Sequence, residues 1–262
     1  RTTWPLCAGG TQCLSFRPVR RKSREEPWSV VDSYTRLINY LRISVTDLCN
    51  LRCVYCMPAE GVPLKRHEDI LSFEEIEEVA RAAVRLGVNK VRLTGGEPLV
   101  RRDILSLVGR LGAIPGIDDF AMTTNGILLP RYAAPLRKSG LQRVNISLDC
   151  LDPERFRALT RVGRVEDTLA GIKAAIEADF RQVKINCVIA ASPEEPDARD
   201  VADYGRKLGL QVRFIRRMDT AAGEFHQVIG GTGGLCSQCN RLRVTSDGMV
   251  YPCLFSDAFY SI

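Results

Sequence analysis

Tyr40-Leu41-Arg42-Ile43-Ser44-Val45-Thr46-Asp47-Leu48-Cys49-Asn50-Leu51-Arg52-Cys53-Val54-Tyr55-Cys56 decides how this chain is read. An apolar run, Tyr40–Val45, passes directly into cysteines at 49, 53 and 56. Three thiolates so close together suit an iron–sulfur cluster. A cubane cluster usually takes one cysteine on each of its four irons, so three local cysteines leave one iron open to another ligand. The spacing differs from the C-x2-C-x2-C and C-x4-C-x2-C runs of ferredoxins. The plainer alternative is three core cysteines, since free cysteine is among the most buried residue types.

Outward from this stretch the pattern is regular from Ser29 onward. Strands are expected at 40–45, 90–93, 120–123, 143–148, 183–189 and 211–215. Helices are expected between them. Ser72 and Glu75 form a capping box, followed by Ile76, Val79, Ala80, Ala83 and Val84 at helical spacing, with a stop at Gly87. Further helices are expected at 103–111, 131–139, 165–178 and 197–208. Six strands alternating with helices imply a parallel α/β sheet, as a complete or partial barrel or an open doubly wound sheet. Either fold places its site at the strand ends.

The chain has 262 residues and is 45% hydrophobic, enough for one large domain or two small ones. A net charge of +6 suits an anionic small molecule as well as nucleic acid. No apolar run is long enough to span a membrane. Beginning at Arg1 and ending at Ile262, the chain reads as a fragment or a processed form. Residues 1–28 read as a disordered or non-native leader, with a basic run at Arg17, Arg20, Arg21, Lys22 and Arg24 broken by Pro18. Residues 29–218 read as the α/β unit and 219–262 as a distinct C-terminal region. Cysteines grouped at 49/53/56 and 236/239/253 have metal-ligand spacing, whereas Cys7, Cys13, Cys150 and Cys187 read as unpaired thiols in a reducing compartment.

The strand ends carry the chemistry. The second ends in Thr94-Gly95-Gly96-Glu97-Pro98, whose glycines let the backbone approach a ligand and whose Glu97 can accept from a ligand ammonium. Two more ends are polar, Thr123-Thr124-Asn125-Gly126 and Asn145-Ile146-Ser147-Leu148-Asp149, though such residues also make ordinary turns. Lys184 and Arg213 interrupt apolar strands and, with Lys90 and Arg92, could form a cationic ring suited to a polyphosphate. The alternative is a set of solvated barrel charges.

The second cysteine group is Cys236-Ser237-Gln238-Cys239 and Cys253, joined by a short hairpin turning at Asp247-Gly248. Arg241 and Arg243 alternate on one strand face, so both can point at one anionic ligand. A structural zinc site needs four ligands, and His226 is the available fourth. A second cluster with an open iron is the competing reading.

The segments YLRISVTDLCNLRCVYCMP, VRLTGGEPLVRRD, TTNG, VNISLD, VKINCV, VRFIRRMD and CSQCNRLRVTSDGMVYPCLF resemble the GTP 3′,8-cyclase family of radical S-adenosylmethionine (SAM) enzymes in molybdenum cofactor biosynthesis. The resemblance covers residues 30–256 and implies a partial (βα)6 TIM-like barrel with a C-terminal iron–sulfur hairpin extension. It implies two [4Fe–4S] clusters, one on Cys49, Cys53 and Cys56 and one on Cys236, Cys239 and Cys253. The first would cleave SAM to a 5′-deoxyadenosyl radical that abstracts the ribose 3′ hydrogen of GTP, and the second would bind guanine. It implies that Tyr55, Gly96, Ser147 and Met218 contact SAM, alongside Gly95 and Glu97. It implies that Arg42, Arg92, Thr123, Lys184, Arg241, Leu242 and Arg243 contact GTP, alongside Lys90 and Arg213, with Arg241 and Arg243 also in catalytic roles. Expected partners are GTP and an external one-electron reductant of the flavodoxin or ferredoxin type, with no nucleic acid and no membrane, and a homodimer left open. The expected compartment is the cytoplasm, or the mitochondrial matrix in a eukaryote.

The chain departs from the family in its short connector, 219–235. Arg216-Arg217 replaces a more acidic or aromatic pair, and the family's terminal Gly-Gly is not in this sequence. Two competing readings follow: a related radical enzyme acting on a peptide or another nucleotide, and a non-catalytic zinc or electron-transfer protein.

Overall fold

The computed structural model describes residues 17–19, 28–63, 65–218, 226–255 and 258–262. Cys7, Cys13, Arg20, Arg21, Lys22, Arg24 and Gly223 lie outside the described residues. Three short strands form a small antiparallel sheet: β1 (Arg17–Val19), β2 (Ser29–Val31) and β3 (Leu37–Ile38). Arg17 and Pro18, read as part of a leader, therefore sit in a strand paired with β2.

The main sheet begins with β4 (Tyr40–Ser44). It continues through β5 (Lys90–Thr94), β6 (Asp119–Thr124), β7 (Arg143–Ser147), β8 (Gln182–Ile189) and β9 (Gln211–Arg216), each parallel to its neighbour. The crossovers are α1 (Phe73–Arg85), α2 (Ile104–Gly112), α3 (Leu129–Lys138), the pair α4 (Pro153–Thr160) and α5 (Val165–Glu177), and α6 (Pro196–Lys207). All six expected strands and five expected helices are present. α4 was not expected. Among the described residues β9 has no helix after it, so five β–α units and a sixth strand make up the arc.

On the other side of β4 lie β10 (Arg241–Val244), β11 (Met249–Tyr251) and β12 (Tyr260–Ser261). β10 runs parallel to β4, with Arg241, Leu242 and Arg243 opposite Tyr40, Leu41 and Arg42. The expected hairpin exists, with Gly248 in its turn at φ +82°. It extends the barrel sheet rather than standing apart from it. β9 and β12 are the two edges, so the barrel is open.

Strand alternation divides the faces. Leu41, Ile43, Val91, Leu93, Phe120, Met122, Val144, Ile146, Val183 and Ile185 are buried against the helices. The residues that alternate with them, Arg42, Arg92, Thr123, Asn145 and Lys184, line the lumen. Helix α1 begins as its sequence dictates: the Ser72 hydroxyl accepts from Glu75 N–H at 3.2 Å, and the Glu75 carboxylate accepts from Ser72 N–H at 2.7 Å. Among the described residues no helix is long and apolar enough to cross a membrane.

Candidate active site

β4 delivers the first cysteine loop to the C-terminal mouth of the barrel. Within the loop the Cys53 carbonyl accepts from the N–H groups of Cys56 and Met57 at 2.9 and 3.1 Å, a turn that brings two of the cysteines together. The loop's back is pinned by the end of α4. Arg52 N–H donates to the Thr160 carbonyl at 3.1 Å and Val54 N–H to that of Leu159 at 2.9 Å. The Arg161 guanidinium donates to the carbonyls of Arg52 and Met57 at 2.7 and 2.8 Å.

Cys49 and Cys53 are half-buried and Cys56 is exposed. Burial, with the neighbouring Cys56, Asp149 and Cys49, pushes the Cys53 thiol up to about 12. Cys49 and Cys56 are also raised, chiefly by burial. Among the described residues, no three His, Cys, Asp or Glu side chains converge closely enough for a single metal ion. The three thiols nevertheless lie within electrostatic reach of one another. Sulfurs that bind separate corners of one cubane need this looser grouping, whereas a tetrahedral zinc draws its ligands to about 2.3 Å from one point.

The Gly95–Glu97 loop lies directly on the cysteine loop. Gly96 N–H donates to the Thr46 carbonyl and Glu97 N–H to the Leu48 carbonyl, both at 2.8 Å. A Cβ on Gly96 would stand 2.2 Å from the Leu48 carbonyl oxygen, and one on Gly95 would stand 2.6 Å from that of Thr46. Glu97 is only 1% exposed. One of its oxygens accepts from Leu99 N–H at 3.0 Å and Thr124 Oγ1 at 2.8 Å, and the other from Asn125 N–H at 2.7 Å. Burial raises its carboxyl while these donors oppose the rise. Glu97, expected to receive a ligand ammonium, thus already engages both oxygens with protein donors, and it ties the glycine loop to the end of β6. Asn125 completes the tie, donating from Nδ2 to Asn50 Oδ1 at 2.7 Å.

Asp149, named in the sequence only as part of a polar strand end, spends both oxygens on protein donors. The Tyr55 hydroxyl donates to Asp149 Oδ2, and Val188 N–H donates to Oδ1 at 2.8 Å. Burial raises the Asp149 carboxyl. Tyr55, between Cys53 and Cys56, is thereby fixed to the ends of β7 and β8. Ser147 is the last residue of β7, and Met218 lies just past β9, exposed.

Below the mouth the lumen is strongly cationic. Register puts Arg243, Arg42 and Arg92 side by side on β10, β4 and β5, and puts Thr123, Asn145 and Lys184 side by side on β6, β7 and β8. Arg92 is 8% exposed, with its guanidinium 5.7 Å from the Tyr40 ring centre and 3.5 Å from Thr123 Oγ1. With its amide oxygen turned toward Arg92, Asn145 accepts from Nη2 at 3.2 Å and from Nη1. Burial, with Arg92, Arg243 and Arg241 nearby, lowers Arg42 to about 10. Burial, with Arg213, Arg143 and Arg92, lowers Lys184 to about 8. Arg143 is neutralised by Asp119, its Nε donating at 2.6 Å. Three buried donors, Arg92 Nε, Arg213 Nε and Arg243 Nη1, have no partner among the described residues. Orphaned buried cations of this kind suit a highly charged anion.

Lys90 shares this face but sits one pleat nearer the closed end, opposite Tyr40 and Asp119. Leu242 does not share it, because its side chain packs on the hydrophobic core. Asn145, named as part of a polar strand end, belongs to the lumen; Tyr40 and Arg143 belong to it too and were missed, although the alternation that marks Arg92 and Lys184 marks them as well.

The second cysteine group stands beside this wall. Cys236–Gln238 is a single 3-10 turn, with Cys239 N–H donating to the Cys236 carbonyl at 3.1 Å. Burial raises the Cys236 thiol, and the neighbouring Cys253 and Cys239 add to the rise. Burial lowers the Arg243 guanidinium, and the nearby Cys239 and Cys253 oppose the fall, so Arg243 lies close to this group as well as to the lumen. His226 is exposed, and no metal-holding group among the described residues includes it.

The depressed Lys184 gives a pH signature. Its folded value of about 8 lies below the ordinary 10.5, so the unfolded chain binds more protons between them. Stability of the ligand-free protein should therefore rise with pH from about 8 to 10.5, while affinity for a polyanion should fall as pH climbs through 8. Calorimetric titration in buffers of different ionisation enthalpy checks this. Proton uptake on binding should appear near pH 8 and vanish in Lys184→Met.

The chain matches the Radical SAM superfamily over residues 43–204. It is 41% identical to a GTP 3′,8-cyclase of Heliobacterium modesticaldum, over 87% of this chain and 84% of that protein. It is 43% identical to one of Moorella thermoacetica, over 86% and 84%. The Heliobacterium alignment runs over 274 positions against a chain of 262, so that relative carries residues this chain lacks. In fold the chain is similar to Streptococcus suis SuiB bound to precursor peptide SuiA (TM-score 0.65, 17% identity, 85% of this chain and 61% of that one). It is also similar to anSMEcpe with bound AdoMet and Cp18Cys peptide (TM-score 0.60, 17% identity, 84% and 74%).

Proposed function

The chain belongs to the radical SAM superfamily and, within it, to the GTP 3′,8-cyclases, and from that membership we propose that it converts GTP to (8S)-3′,8-cyclo-7,8-dihydroguanosine 5′-triphosphate, the first step of molybdenum cofactor biosynthesis. The observation that carries the substrate is the lumen: Arg42, Arg92, Lys184, Arg213 and Arg243 crowd one space, and three of their buried donors lack partners among the described residues.

The donor sets fit two [4Fe–4S] clusters, held by Cys49, Cys53 and Cys56 and by Cys236, Cys239 and Cys253. When bound and reduced, the first supplies the electron that cleaves SAM to a 5′-deoxyadenosyl radical. The chain's own residues hold the reactants. The Gly95-Gly96 backbone, placed by Glu97, together with Tyr55, Ser147 and Met218, positions SAM at the mouth. Arg92, Lys184, Arg213 and Arg42 hold the triphosphate through charge-assisted bonds. Arg241 and Arg243, on the wall shared with the second cysteine group, orient the guanosine end. Thr123 sits with Arg92 and Asn145 on the floor. The site must keep water and oxygen from the radical while it exists. An external one-electron reductant of the flavodoxin or ferredoxin type is needed.

The test is anaerobic incubation of reconstituted protein with SAM, dithionite and GTP. GTP should stimulate 5′-deoxyadenosine formation, and cyclised GTP should accumulate. Stimulation by another nucleotide, with none by GTP, would favour the second reading, which draws on the shorter connector. Cys239→Ser should keep uncoupled SAM cleavage within a few-fold and lose the cyclised product. Loss of both activities would make the second cysteine group a structural element.

A further inference from the structure

We propose that residues 32–39 form a cradle that sets the second cysteine loop, with Arg36 and Asn39 as its positioning residues. This rests on the reading that Cys236, Cys239 and Cys253 hold a cluster.

The cradle starts from a tight turn between β2 and β3. Asp32 is buried, and its Oδ1 accepts from the N–H groups of Tyr34 and Arg36 at 3.0 and 2.9 Å. Its Oδ2 accepts from Arg36 Nε at 2.7 Å and faces Nη2 at 2.5 Å. Two bonds to one carboxylate fix the guanidinium plane. The remaining arm, Nη1, donates to the Cys236 carbonyl at 2.6 Å. The Tyr34 ring supports the guanidinium carbon from 5.2 Å.

The far end of the cysteine loop is held by the same segment. Asn39 N–H and Tyr40 N–H donate to the Asn240 carbonyl at 3.2 and 3.1 Å, and Asn240 Nδ2 donates to Asn39 Oδ1 at 2.6 Å. The first cysteine of the CxxC and the residue that follows its second cysteine are thus both tied to one eight-residue stretch some two hundred positions earlier. Both partners lie outside residues 43–204, which match the superfamily at large. The cradle and its loop form a matched pair added around that common part.

A lysine cannot replace Arg36, because one ammonium lacks the fork that binds Asp32 and the carbonyl together. With Arg36 lost, the Cys236 carbonyl and Asp32 would both lose a charged donor, and the loop would be free to splay before iron arrives.

The experiment uses the full chain, reconstituted anaerobically, with wild type measured first. Wild type should hold about eight irons, and Arg36→Met about four. In Arg36→Met the electron paramagnetic resonance change on adding SAM should persist, the change on adding GTP should disappear, and uncoupled SAM cleavage should stay within about threefold. Arg36→Lys should fall between the two, and Asn39→Ala should repeat the pattern more weakly. Retention of eight irons and of the GTP-induced change in Arg36→Met overturns the cradle. Loss of the first cluster's SAM-induced change in both Arg36→Met and Asn39→Ala also overturns it, since the segment would then support the whole fold. Four irons in wild type itself, unaltered by Cys239→Ser, would instead remove the second cluster on which the cradle depends.

Discussion

Gly96→Ala should yield a folded barrel that no longer cleaves SAM. The added Cβ would stand 2.2 Å from the Leu48 carbonyl oxygen and 2.8 Å from that of Asp47. Both are backbone atoms and cannot rotate aside. Relief requires the cysteine loop and the glycine loop to part by about 1 Å, a displacement of the order that can cost 100-fold in rate when reactants must be aligned. It would also break the Gly96–Thr46 and Glu97–Leu48 bonds that hold the loops together. Expected results are a loss of 5′-deoxyadenosine formation of at least about 100-fold and a stability loss of roughly 1–3 kcal/mol, as for other overpacked sites. Gly109→Ala is the control. Gly109 lies in α2, and its added Cβ meets nothing within 4 Å. That change should stabilise the protein by up to about 1 kcal/mol, because alanine is the better helix former, and it should leave turnover unchanged. Iron content, thermal melting and deoxyadenosine release measured on all three proteins decide the matter.

Arg92→Met should move stability and affinity in opposite directions. Arg92 is buried beside other cations, its Nε has no partner among the described residues, and Asp119, the lumen acid, is engaged by Arg143. An apolar side chain of similar length gives up the bonds to Asn145 and Thr123 but removes a desolvated charge from a like-charged neighbourhood, the larger effect, so the ligand-free protein should melt higher. The same change takes away a charged donor to a buried anion. Such losses cost about 2–5 kcal/mol, or roughly 30-fold and upward in GTP affinity. Thermal scans with and without GTP read both effects: the ligand-free midpoint rises while the GTP-induced shift shrinks. A lower midpoint without GTP would mean that the lost bonds to Asn145 and Thr123 outweigh the relief of crowding. Arg92→Lys should weaken GTP binding less, since it keeps the charge but loses the fork.

What the sequence revealed and what it hid follow one division. The barrel strands were legible because Leu41/Ile43, Val91/Leu93 and Val144/Ile146 alternate with polar residues, and the capping box announced α1. The two cysteine groups were visible because most of their members are close in sequence. The residues that hold those loops were hidden, because their roles arise from pairings between distant segments. Arg161 reaches back to Arg52 and Met57, Asp149 receives Tyr55, and Arg36 grips Cys236. Each looks like an ordinary surface or turn residue in its own neighbourhood. Glu97 was found for its motif, yet its burial and its three donors came only from the fold. Leu242 was carried along with its arginine neighbours, although the period of a strand puts it on the opposite face.

The pairing of β10 with β4 also sets an order of assembly. β4 lies near the start of the barrel and its partner near the far end of the chain, so on the ribosome β4 emerges long before residues 241–244 exist. Until then β4 is an edge strand, with one row of backbone donors and acceptors open to any passing strand. Domains that wait on late partners are the ones exposed to misassembly during synthesis. Docking of β10 closes that edge and, in the same event, brings Arg241 and Arg243 to the lumen and the second cysteine group to its place. A nascent chain therefore carries its first cysteine loop before it has the wall that bears the second.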